Sequence, residues 1–170
     1  MASLMEDLLD VLEKEEKQYQ ELIELGLEKK QAVIKADIKT LEQITAKEGA
    51  VASALSNMAK HRTRVLDDMA TVLGKEPGEI TITKMIGYLS GQPKEQQKLM
   101  EIKEKLLATG EKMKTINQQN EVLLKQALEM VEFDLTLLKS MRQAPETANY
   151  NRRAYNTGDL LGGGGFDAKQ

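Results

Sequence analysis

Apolar residues recur at alternating spacings of three and four along most of this chain, and that rhythm confines it to long α-helices, because residues so spaced share one side of a helix. The first row is Met5, Leu8, Leu12, Tyr19, Leu22, Gly26, Val33 and Ala36, interrupted by Glu15 and Lys29. Continued past Ala36, the same register would fall on Thr40, Gln43 and Lys47, whereas the apolar residues stand at Leu41, Ile44, Val51, Leu55, Met58, Val65, Met69 and Val72. Asp37 marks the slip and is a good N-cap, so the pattern predicts a tight reversal and a fresh helix from Ile38 to about Leu73. The rival is one continuous helix of roughly 70 residues, on the order of 100 Å long. Ser3 with Glu6 three positions later has the form of a capping box for the first helix.

Gly74 and Pro77-Gly78 stop the second helix, since Gly suits a helix C-terminus and Pro cannot continue one. The segment Thr81 to Ser90 opens with β-branched alternation, but a lone strand would have no hydrogen-bond partners, so a short helix begun by Thr81 or Thr83 is expected. Gly91 and Pro93 end it. From Pro93 the pattern runs to about Met141, roughly 70 Å at 1.5 Å per residue, whereas the first two helices reach only about 50 to 55 Å. Unless it kinks at Gly110, the last helix outruns its intramolecular cover. The expected fold is all-α: an antiparallel bundle or coiled coil of three long helices plus one short one (1–142), followed by a flexible C-terminal tail (143–170).

The last long helix carries two stripes where the others carry one. The first runs Leu99, Ile102, Leu106, Met113, Ile116, Leu123, Ala127, Met130, Leu137, Met141. The second, rotated by one residue, is polar at Lys103, Gly110, Lys114, Asn117 and Glu121 and then turns apolar at Leu124, Leu128, Val131, Leu135 and Leu138. Something must cover that second face, because five wet Leu or Val side chains forgo about 1.5–3 kcal/mol each of burial. The cover is the chain's own helices, another copy in a homo-oligomeric coiled coil, or a foreign helix.

Composition narrows the chemistry. With two Phe, four Tyr and no Trp in 170 residues, the core is built of aliphatic residues and Met, as in helical bundles. The formal charge of −3 is spread over both signs, which argues against a nucleic-acid partner. The absence of Cys excludes disulfides and thiolate chemistry. Met1 to Asp10 lacks the basic start of a secretory signal, and no run nears the roughly 18 apolar residues of a membrane span, so a cytoplasmic location without membrane insertion is expected. His61 stands among Lys60, Arg62 and Arg64 and reads as solvated. Glu13, Glu15 and Glu16, like Glu101 and Glu104, alternate with Lys as on solvated helix faces, so paired-carboxylate and di-metal readings are weak. Gly162 to Gly165 lacks the Lys-Ser/Thr of a phosphate loop. The chain reads as a binding protein, not an enzyme, with no metal or cofactor. The tail nevertheless holds Tyr150, Tyr155, Leu160, Leu161 and Phe166, a content suited to a docking peptide or to a spacer.

Three segments, KQAVIKADIKTLEQITAKE (Lys30 to Glu48), INQQNEVLLKQALEMVEFDL (Ile116 to Leu135) and YNTGD (Tyr155 to Asp159), together resemble the FlgN family of flagellar export chaperones, over about Leu4 to Asp159. The resemblance implies a helical cytoplasmic chaperone that binds the amphipathic C-terminal helical segment of hook-associated proteins, prevents their premature association and delivers them to the export gate. It also implies that the client-binding positions are Leu124, Leu128, Val131, Leu135 and Leu138. The gate-docking tyrosine it implies is Tyr155, with Tyr150 as the rival.

Overall fold

In a computed structural model the described residues form four α-helices: α1 (Ala2–Ile34), α2 (Ile38–Val72), α3 (Ile82–Tyr88) and α4 (Pro93–Asp167), with a 3-10 turn at Leu89–Gly91 between the last two. The structure describes the backbone of residues 1–167 and the side chains of residues 1–142. No strand occurs among the described residues. Two compact units are present, Met1–Leu124 and Lys125–Gln170, and α4 runs from the first into the second.

The reversal between α1 and α2 lies where the apolar register slips. Asp37 is the N-cap of α2, and its carboxylate accepts from the Thr40 amide at 3.1 Å and from the Thr40 hydroxyl at 2.6 Å. These two bonds, that to the Thr40 hydroxyl first, hold the Asp37 carboxyl below its ordinary range. The chain turns through Ala36, whose φ of 53° is left-handed. Asp37 N–H donates to the Ala32 carbonyl and Ala36 N–H to that of Val33, which closes α1 with the paired bonds of a Schellman motif. α2 ends the same way at Gly74 (φ 64°), with Lys75 N–H on the Ala70 carbonyl and Gly74 N–H on that of Thr71. Thr81 caps α3 by accepting from the Lys84 amide.

Two expectations about ends need correction. Ser3 and Glu6 form no capping box: α1 begins at Ala2 with Met1 as N-cap and no side-chain cap bond, so Ser3 already lies inside the helix. α4 continues beyond Met141, because the apolar pattern from which a terminus is inferred carries no signal once it fades. The expected tail, with Tyr150 and Tyr155, lies outside the residues whose side chains are described.

The first unit has two apolar clusters. The larger joins Met5, Leu8, Val11 and Leu12 of α1 to Val65, Met69 and Ala70 of α2, to Ile80, Met85 and Leu89, and to Leu99 and Ile102 of α4. The smaller, at the reversal end, joins Leu25 and Ala32 to Ile44 and Val51, with Leu22, Leu41 and Leu55 packed on it. On α1 the step from one to the other passes through Glu15 and Glu16. These carboxylates are buried rather than solvated, which corrects the reading of their face.

Candidate functional site

The two buried acids of the first unit, Glu15 and Glu16, are structural in their contacts. Glu15 Oε2 accepts from Arg62 Nη1 of α2 at 2.6 Å. Burial pushes the Glu15 carboxyl above its ordinary range, outweighing the opposing attraction of and hydrogen bond from Arg62. Glu16 Oε1 accepts from Gln20 Nε2 at 2.6 Å and from Thr109 Oγ1 of α4 at 3.1 Å, and Lys105 Nζ lies 3.5 Å from Oε2. Each carboxylate is thus engaged in joining helices. A cleft of about 570 Å³ between α1 and α4 is lined by residues including Glu6, Asp10, Glu13, Lys17, Lys98 and Lys105. Its charges alternate in sign, and no group of three or more His, Asp or Glu side chains among the described residues could hold a metal ion. His61 is exposed on α2.

Further along α4, its docking to α1 is set by close backbone approach. Asn120 Nδ2 donates to the Gly26 carbonyl at 2.7 Å, and a Cβ built on Gly26 would lie 2.7 Å from Ile116 Cγ2, so only glycine admits this contact. Gly26 stood on the expected α1 row for this geometric reason. Asn120 Oδ1 is buried and has no hydrogen-bond partner among the described residues. Leu124, the last residue of this unit, is half-buried.

The second unit presents the opposite situation. Leu128 is 65% exposed, Val131 54%, Leu135 52% and Leu138 57%. Four of the five expected client-binding side chains are therefore wet, and Leu124 is the exception. Sequence reasoning underestimated the face, since the first stripe is uncovered here as well: Met130, Leu137 and Met141 are exposed, and Phe133 joins them. The missed signal lies in the first stripe itself, which runs to Met141 on the same overhang of the last long helix as the second stripe. Eight large exposed apolar side chains, from Leu128 to Met141, fall within about four helical turns and form a patch of the kind that marks an interaction surface. No helix among the described residues is long and apolar enough to cross a membrane.

Compared with known proteins, the chain matches the model of the FlgN protein family over residues 1–158. No curated protein and no solved structure gives a match.

Proposed function

Because the chain belongs to the FlgN family, a chaperone family of flagellar biogenesis, we propose that its exposed α4 face holds the amphipathic C-terminal helical segment of hook-associated proteins in the cytoplasm. The observation that carries this reading is the run of wet apolar side chains from Leu128 to Met141. Laying the apolar side of the client segment on that face removes apolar area of both partners from water, which is helix-in-groove recognition. While the segment is held it cannot pair with other copies of the client. Delivery to the export gate then falls to the C-terminal region, with Tyr155 as the docking residue and Tyr150 as its rival. None of these steps requires bond chemistry.

Charge substitution tests the reading. Leu128→Asp and Val131→Asp each abolish co-purification of a hook-associated protein while leaving far-UV circular dichroism intact, because a carboxylate desolvated by the client is costly but a carboxylate in water is not. Loss of helicity in both variants would show that the face is core instead. Tyr155→Ala keeps client affinity and lowers export; an equal loss of affinity would merge the two roles. Sedimentation of the free chain separates this reading from a coiled-coil scaffold, for which a tight dimer indifferent to client is the signature.

A further inference from the structure

Asp134 is an exposed carboxylate in the middle of the apolar face. Its neighbours three and four positions away along the helix are Met130, Val131, Leu137 and Leu138, and all four are exposed. The two stripes that flank it, Leu128-Val131-Leu135-Leu138 and Met130-Leu137-Met141, follow heptad spacing and lie about 100° apart. Together they make an apolar arc wider than the roughly 100° that one packed helix covers. A single client helix would leave one stripe wet.

We infer that this face takes two helical strands of the client side by side, one on each stripe, with a Lys or Arg of the client set against Asp134. The inference rests on the client-binding reading and specifies its partner. Covering the arc desolvates the Asp134 carboxylate, which is tolerable only with a cationic partner in reach. The same charge decides against a second copy of this chain as the occupant, since two-fold pairing centred on the patch sets Asp134 against its own equivalent. A single polar group within an apolar seam also fixes register, so Asp134 selects one alignment of the client strands.

Methyl NMR of the full chain with a paramagnetic co-solute, free and saturated with an intact hook-associated protein, reads each stripe separately. The expected result is protection of Leu128, Leu135 and Leu138 together with Met130, Leu137 and Met141. Asp134→Lys, on an exposed position that leaves helicity unchanged, weakens client binding by about tenfold or more, and Asp134→Asn by less. Protection of one stripe alone, or unchanged affinity of the Asp134→Lys variant, overturns the two-strand assignment and leaves client binding standing. If neither stripe responds to the client, the reading beneath it falls as well.

Discussion

At the scale of single residues, the charges and the glycine inside the first unit give sharper expectations than its leucines. Glu15 has a raised folded pKa, so the native state binds its proton more readily than the unfolded chain does. The native state is therefore favoured most below the ordinary glutamate value of 4.5 and loses that contribution as pH rises through the folded value. Glu15→Gln removes this slope: in denaturant titrations, its stability relative to the unmodified chain improves steadily from acid toward neutral pH. Gly26→Ala gains about 1 kcal/mol of helix propensity but forces its methyl onto the stiff, β-branched Ile116, and overpacking of about 1–3 kcal/mol outweighs the gain. A net loss of up to about 2 kcal/mol in chemical denaturation is expected. Sequence placed Gly26 on the row and showed Glu15 interrupting it. It could not show that Arg62, 47 positions away, meets that carboxylate, since one pattern of Glu and Lys serves a wet face and a bridged one alike.

At the scale of elements, the helix breaks were legible because each is written in local chemistry. The slip of register at Asp37, Gly74 with its left-handed backbone, and the Thr81 cap all act within a few residues of themselves. The pair Ser3 and Glu6 has the same local form and fails, since capping requires the chain to leave helical geometry at Ser3 and the helix has already begun at Ala2. The α1–α2 reversal also holds an unexploited reserve: exposed Ala36 sits at φ 53°, where the Cβ costs about 1–2 kcal/mol. Ala36→Gly relieves that strain at a smaller entropic cost, and a stabilisation of about 0.5–1 kcal/mol in thermal or urea unfolding is the expected outcome.

At the scale of the whole molecule, the first unit is held by a large cluster and a small one, divided on α1 by Glu15 and Glu16. Fewer buried apolar side chains mean a lower cost of local opening. Native-state hydrogen exchange of the intact chain is expected to show the amides around Ala32, Ile44 and Val51 exchanging through a lower-energy opening than those around Leu8, Leu12 and Met69. Equal protection at both ends would mean that the two clusters open as one. All-helical organisation was readable from periodicity alone, and so was the surplus of apolar positions late in α4. The extent of the wet face was not, because a stripe spaced for packing looks the same whether a neighbour arrives or not: Met130, Leu137 and Met141 continue the stripe that begins at buried Leu99 and Ile102, and they are exposed. A surface kept adhesive in this way imposes a rule of supply. On the client-holding reading proposed above, the vacant molecule is the one prone to clump or to scavenge stray helices, so copies in excess of the waiting cargo segments would be the hazardous ones.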